Sequence, residues 1–299
     1  MARILVCDKT SEDALAKISA AGHQVVKKYG MTPEELISTV PDSDCMIVRS
    51  ATKVRVPVID AAKKLKLIVR GGVGIDNIDV EYARSKGIEV RNTPSASSAS
   101  VAELAIAHMF SLYRFVGASN VTMRKGEWNK KQYKGRELEG KTLGIIGLGR
   151  IGRHLARRAK GLSMHPIAYD PFLKEKEIEG VPLVSFDELL AKSDIVSLHI
   201  PKQEKPIIGR NEIAKMKDGA ILVNTARGGL ADEVAVKEAL DSGKLWGYGV
   251  DVYTKEPPED FSFYDHPRIS CTPHLGATTE EGQARVGEEV AKIIIDFFG

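Results

Sequence analysis

The chain has 299 residues, and 43 Lys and Arg against 40 Asp and Glu leave a formal net charge of +3. That length accommodates about two domains and buries enough surface to need no disulfide or metal staple. Hydrophobic residues at 43% and charged residues at 28% exclude a disordered chain. The near-balanced charge weighs against a dedicated nucleic-acid binder.

Taken in order, β-branched runs alternate with helical patterns. Arg3–Asp8 reads as a strand, Glu12–Ala21 as an amphipathic helix, His23–Tyr29 as a strand, Pro33–Ser38 as a helix and Cys45–Ser50 as a strand. Val56–Ala62 is helical, Leu65–Arg70 extended, Val80–Lys86 helical and Ile88–Asn92 a short strand. Such alternation predicts βαβ units and parallel sheets covered by helices on both faces. From Ser95 to Lys125 few breakers intervene, and Val101, Leu104, Ala105, Met109 and Leu112 recur at helical spacing. One long helix is predicted there. Alternation resumes with strands at Thr142–Gly147, Pro166–Asp170, Ile195–Ile200, Ala220–Asn224, Gly247–Val252 and Ile269–Thr272, and Glu280–Phe298 is a last amphipathic helix. The predicted fold class is α/β, with two doubly wound, Rossmann-like parallel-sheet domains. Residues 1–94 with 276–299 form one, discontinuous in sequence, and 95–275 form the other.

Cys7, Cys45 and Cys271 make no CxxC pair, which fits reduced thiols and no zinc site. No signal sequence opens the chain, and no apolar run approaches the roughly 20 residues that span a bilayer. A soluble cytoplasmic protein with no membrane or nucleic-acid partner is expected. Lys63–Lys66 and Lys130–Lys131 read as short solvated faces.

The segment TLGIIGLGRIG, Thr142–Gly152, carries the most specific signal. A strand runs into Gly147, Gly149 and Gly152 at GxGxxG spacing, and a helix over Ile151–Lys160 follows. The first glycine permits the tight turn, the second lets the backbone approach a pyrophosphate, and the third lets helix and strand pack closely. Glycine-rich turns are common, but here a second strand ends in Asp170, 18 residues beyond Gly152. A carboxylate there accepts the ribose hydroxyls of NAD and repels the 2′-phosphate of NADP, so NAD is the expected cofactor. Gly71-Gly72-Val73-Gly74 also follows a strand but lacks a third glycine. It is either an anion-binding nest for a substrate carboxylate or a purely structural turn.

Open α/β sheets bind ligands at the carboxyl ends of their strands. Three such ends hold candidate catalytic groups: Arg227 after Ala220–Asn224, Glu256 after Gly247–Val252, and His274 after Ile269–Thr272. An arginine grips a carboxylate bidentately and polarises the neighbouring carbonyl. Histidine is the side chain whose ordinary pKa lies nearest neutrality, which suits proton exchange with a hydroxyl. A carboxylate on its far nitrogen fixes the tautomer and favours the imidazolium. Each residue alone has a bland alternative, as a surface charge, a loop carboxylate or a buried histidine. Their joint occurrence beside a dinucleotide fingerprint favours alcohol–carbonyl redox chemistry. His108 reads as core or interface, His199 as lining the cofactor crevice, and His154 and His165 as surface. No HExxH or acidic cluster suggests a metal, and Ser97, Ser98 and Ser100 lack a GxSxG context.

On these residues the chain resembles the D-isomer-specific 2-hydroxyacid dehydrogenase family from end to end. The carriers are GLGRIG at Gly147–Gly152, NTARGGLADE at Asn224–Glu233, DVYTKEPP at Asp251–Pro258 and TPHLGATTEE at Thr272–Glu281. VRSATKV at Val48–Val54, RGGVGIDNID at Arg70–Asp79 and RNTPSASSASVAE at Arg91–Glu103 resemble the members that oxidise the phosphorylated 2-hydroxy acid D-3-phosphoglycerate. The resemblance implies that Arg227 binds the substrate carboxylate and carbonyl, that Glu256 supports the histidine and that His274 is the acid/base. It implies NAD contacts from Arg150, Ile151, Asp170 and His199, with Thr225 and Asp251 on the nicotinamide side and Ala226, Gly276 and Ala277 among the contacts. Gly72, Val73 and Gly74 then hold the substrate carboxylate, Arg49 and Ser50 lie at the substrate mouth, and Lys130 or Lys131 approaches the phosphate across a homodimer built on the Ser95–Lys125 helix. Other family members, acting on glycerate, hydroxypyruvate or D-lactate, are the alternative, and a non-catalytic NAD(H)-sensing corepressor is a remote one. After His199–Pro201 the family continues with Leu and Thr, whereas PKQEKPIIG stands here. Some relatives carry a C-terminal serine-binding regulatory domain; the sequence given stops at Gly299, and no serine feedback through such a domain is expected.

Overall fold

The computed structural model describes residues 1–299. The chain divides into two compact units, Met1–Ser97 with Ala277–Gly299, and Ser98–Gly276.

The first unit holds five parallel strands, β1 (Arg3–Val6), β2 (Gln24–Lys27), β3 (Cys45–Val48), β4 (Leu67–Arg70) and β5 (Glu89–Asn92), in the order β2-β1-β3-β4-β5. Its central strands are apolar on both faces because both are covered. Ile4, Val6, Cys45, Ile47, Leu67 and Val69 pack against helix Glu12–Ala20 and the C-terminal helix Glu280–Phe298. Leu5, Cys7, Met46, Val48 and Ile68 pack against helices Pro33–Thr39, Val56–Ala61 and Val80–Ser85. Each such aliphatic side chain, fully buried, contributes roughly 1.5–3 kcal/mol. The C-terminal helix belongs to this unit through close packing: a Cβ at Gly287 would lie 2.6 Å from the Ser11 Cβ.

The second unit holds β6 (Thr142–Ile146), β7 (His165–Tyr169), β10 (Ile195–Leu198), β11 (Ala220–Asn224), β12 (Leu245–Val250) and β13 (Ile269–Cys271), all parallel, in the order β7-β6-β10-β11-β12-β13. The strand order reverses between β6 and β10, and ligands of such sheets bind beyond the strand ends at that point. Helices Ser98–Arg114 and Arg150–Gly161 cover one face. Helix Ser98–Arg114 crosses β12 over two glycines, where a Cβ at Gly249 would fall 2.8 Å from the His108 Cβ and one at Gly247 2.8 Å from Leu112 Cδ2. His108 is a core residue. Its ring nitrogens meet Ser270 Oγ at 2.9 Å and Thr272 Oγ1 at 3.2 Å, and burial pushes its pKa down to about 4.

Two expectations are corrected. The single helix over Ser95–Lys125 is two helices, Ser98–Arg114 and Val116–Arg124, separated by Phe115 at φ 55°. The break has a tertiary cause. The Tyr113 carbonyl accepts the Arg136 N–H at 2.9 Å, and the Phe115 ring packs on Trp246 and Tyr133. Between β7 and β10 a small hairpin, β8 (Glu177–Ile178) and β9 (Val181–Pro182), was not foreseen. Its two-residue turn, Glu179-Gly180, has positive φ at both positions, as type I′ hairpins require. Strand ends are otherwise trimmed or shifted by one or two residues, and β12 begins at Leu245.

Candidate active site

The turn after β6 is shaped as its three glycines require. Gly147 has φ 96°, and a Cβ there would lie 2.6 Å from the His199 carbonyl oxygen. A Cβ at Gly152 would lie 2.3 Å from the Gly147 carbonyl oxygen, so the helix starts hard against the turn. Nothing approaches within 4 Å of the corresponding position at Gly149. The middle glycine thus leaves open space at a helix N-terminus whose cap residue has no side chain to satisfy the first N–H groups. Asp170, just past β7, accepts from the Leu148 N–H at 3.0 Å through Oδ2 and from the Phe172 N–H at 3.1 Å through Oδ1. This carboxylate is thereby fixed beside the glycine turn.

Two buried polar atoms near these strand ends have no hydrogen-bond partner: His199 Nδ1 and Thr225 Oγ1. His199 Nε2 meets Ser197 Oγ at 2.8 Å, and burial lowers the imidazole pKa to about 4, so the ring is neutral. An orphaned donor or acceptor costs about 1–3 kcal/mol. The pair, with the open cradle at Gly149 and the carboxylate at Asp170, fits a dinucleotide as the missing partner. Beyond Pro201 the loop is exposed, with Gln203 Nε2 donating to the Pro201 carbonyl at 3.1 Å.

Arg227, Glu256 and His274 follow three adjacent strands. His274 Nδ1 meets Glu256 Oε2 at 2.6 Å, which leaves Nε2 for an external group. His274 has φ 53°, and its N–H donates to the Thr272 carbonyl at 3.0 Å. Burial pushes the Glu256 carboxyl up, but the His274 hydrogen bond and the charges of His274 and Arg227 outweigh it and hold Glu256 below the ordinary carboxylate value. The Arg227 backbone is fixed by Asn224, whose Nδ2 donates to the Arg227 carbonyl at 2.8 Å and whose Oδ1 accepts from the Ala226 N–H at 3.1 Å. Gly228 permits the close approach of neighbouring loops, since a Cβ there would lie 2.0 Å from the Tyr253 carbonyl carbon and oxygen.

Asp251, expected beside the nicotinamide, uses both oxygens within the protein. It accepts from Thr272 Oγ1 at 2.6 Å, the Leu275 N–H at 2.7 Å and the Gly276 N–H at 2.9 Å, so it holds the Thr272 side chain before His274 and the backbone after it. Burial pushes its pKa up against these hydrogen bonds. Lys130 and Lys131 lie exposed in a single 3-10 turn. His165 is exposed, while His154 is half-buried against Arg158, 3.2 Å from its Nη1.

In the first unit the loop carrying Arg49 and Ser50 is clamped from two sides. Asp8 accepts from the Arg49 N–H, and from Thr52 Oγ1 at 2.9 Å. Asn77 Nδ2 donates to the carbonyls of Arg49 at 2.7 Å and Thr52 at 2.6 Å. In the Gly71–Gly74 turn, Asn92 Nδ2 donates to the Val73 carbonyl at 2.5 Å and the Thr93 N–H to the Gly72 carbonyl at 3.1 Å. Gly72 has φ 143°, and a Cβ on it would fall 1.5 Å from Arg70 Nη1. Arg70 therefore lays its guanidinium over this turn. Sequence reasoning missed it, although it ends β4 directly before the glycines, the same placement that singled out Arg227.

Residues 106–276 match the family model described as the NAD binding domain of D-isomer specific 2-hydroxyacid dehydrogenases, more than half of the chain. The chain belongs to that family. Among its relatives, the D-3-phosphoglycerate dehydrogenase of Methanocaldococcus jannaschii is 47% identical over 98% of this chain and 57% of the relative. The hydroxypyruvate reductase of Thermotoga maritima is 44% identical over 99% of this chain and 98% of the relative. The solved structure of NAD+-bound 3-phosphoglycerate dehydrogenase from Entamoeba histolytica superposes with a TM-score of 0.83 at 33% identity, covering 99% of this chain and 95% of that one. The chain spans 57% of the length of the archaeal phosphoglycerate dehydrogenases it matches. No helix is long and apolar enough to cross a membrane, and no group of His, Cys, Asp and Glu is arranged to hold a metal.

Proposed function

We propose that the chain is an NAD-dependent D-2-hydroxyacid dehydrogenase that oxidises D-3-phosphoglycerate to 3-phosphohydroxypyruvate, the first step of phosphorylated serine biosynthesis. The observation that carries the reading is the 2.6 Å contact of His274 with Glu256, on a strand end adjacent to that of Arg227. NAD, when bound, would supply the acceptor for the hydride of C2. His274 Nε2 removes the C2 hydroxyl proton, and Glu256 stabilises the imidazolium that results. Arg227 pairs with the substrate carboxylate and draws electron density toward the forming carbonyl oxygen. In the first unit Gly72, Val73, Gly74, Arg49, Ser50 and Arg70 are proposed as substrate-binding residues, and in the second Lys130 or Lys131 is proposed for the phosphate. Gly147, Gly149, Arg150, Ile151, Gly152, Asp170, His199, Thr225, Ala226, Gly276 and Ala277 are proposed to hold the cofactor.

A second reading, reduction of the unphosphorylated hydroxypyruvate, is favoured by the full-length match to the Thermotoga maritima enzyme. NADH oxidation assayed side by side with phosphohydroxypyruvate, hydroxypyruvate and pyruvate separates the two. The main reading expects the highest kcat/KM with the phosphorylated acid, and preference for hydroxypyruvate overturns it. Turnover of none of them removes both.

A homodimer through the second unit, in a reducing cytoplasm, is part of the proposal. Helix Val116–Arg124 buries no side chain, and Val116, Val121, Met123 and Trp128 are 56%, 52%, 52% and 78% exposed. We read these exposed apolar side chains as the face that a second copy covers. Light scattering is expected to give twice the 32.6 kDa chain mass; a monomer at all concentrations excludes the dimer.

A further inference from the structure

Tyr253 lies at the junction of the three loops that carry Arg227, Glu256 and His274, and it touches each by a different part of itself. Its N–H donates to Glu256 Oε1 at 3.1 Å, the carboxylate oxygen that His274 does not use. Its phenol donates to the Thr272 carbonyl at 2.8 Å, the same carbonyl that accepts the His274 N–H at 3.0 Å. Its own carbonyl packs against Gly228, where no side chain fits. The ring is held edge-on by Tyr264 at 5.0 Å, and Tyr264 is anchored by donating to Glu233 Oε1 at 2.9 Å.

From this placement we infer that Tyr253 is a positioning residue: its phenol ties the Glu256 loop to the turn that presents His274 and so sets the alignment of the acid–base pair. The inference rests on the function proposed above for that pair. A bond of 2.6 Å between a carboxylate and an imidazole loses its alignment with small displacements of either loop, and misalignment of this size at a reacting centre is costly. His274 sits at positive φ, a conformation a non-glycine residue keeps only when its surroundings fix it. The bonds from Asp251 fix the residues after His274, and the Tyr253 phenol fixes the carbonyl before it.

Tyr253→Phe removes only the phenol oxygen and keeps the ring packing. In that variant kcat is expected to fall roughly five- to tenfold, as for one lost hydrogen bond, with KM within about twofold. A purely structural role would lower the active fraction and leave kcat per active site unchanged. Hydrogen exchange over residues 272–276 gives a readout that does not depend on turnover, and faster exchange of the His274 amide is expected. An active wild type with an unchanged kcat and exchange rate in the variant overturns the inference. If the wild type turns over no 2-oxo acid, the proposed function fails, and unchanged exchange alone then refutes the positioning role.

Discussion

A His274→Ala variant is expected to lose roughly three orders of magnitude in kcat, within the range that general acid–base catalysis supplies, while NADH binding stays within about twofold of wild type. The size follows from the absence of a substitute. Glu256 meets the imidazole at Nδ1, on the far side from the Nε2 that takes the proton, so the shortened side chain leaves a gap that Glu256 does not span. Asp251 is buried and its oxygens are taken by Thr272, Leu275 and Gly276. Binding is spared because the glycine turn and Asp170 belong to loops after β6 and β7, whereas His274 follows β13. Stopped-flow turnover with fluorescence titration of NADH checks both halves. A variant within about tenfold of wild-type kcat would mean that another group moves the proton.

Arg227→Ala is expected to lower kcat/KM by roughly a thousandfold, and Arg227→Lys to recover little of it, because a lysine cannot make the planar two-point contact with a carboxylate. The effect is expected to be chemical, not structural. Asn224 fixes the backbone carbonyl of residue 227 whatever the side chain, and Gly228 sets the loop packing. Thermal melting of the two variants should therefore stay within a few degrees of wild type, and the loss should appear in kcat as well as KM if the guanidinium also polarises the forming carbonyl. Recovery of most activity by lysine would show that charge alone suffices.

The alternation of strands and helices was legible because strands buried on both faces must be nearly all apolar, as in Cys45–Val48, and the helices between them carry their own periodicity. The turn after β6 was legible because each of its glycines answers a steric demand that no other residue meets. The bend at Phe115 was not, since nothing local forces positive φ there; its causes are Arg136, Tyr133 and Trp246, which are remote in sequence. The same holds for the supports of the site. Asp8 and Asn77 clamp the Arg49 loop across separations of 41 and 28 residues, and a lone carboxylate and a lone asparagine carry no signal of that. Tyr253 reads as one more aromatic in a strand-end segment until the bond to Thr272 is seen. Arg70 is different, since its place at the end of β4 is itself visible in the sequence, directly before the glycines that its guanidinium covers. Side chains that do chemistry declare themselves by type and placement, whereas side chains that hold them declare themselves only through their partners.

In the proposed reaction hydride leaves C2 of the hydroxy acid directly for the cofactor, while the hydroxyl proton passes to His274. The most direct measurement is the fate of deuterium from D-3-phosphoglycerate labelled at C2, followed by mass spectrometry of the nicotinamide product after single turnover. The account expects the label on the reduced cofactor and a slowed turnover. Label found in solvent, with none on the cofactor, would contradict it.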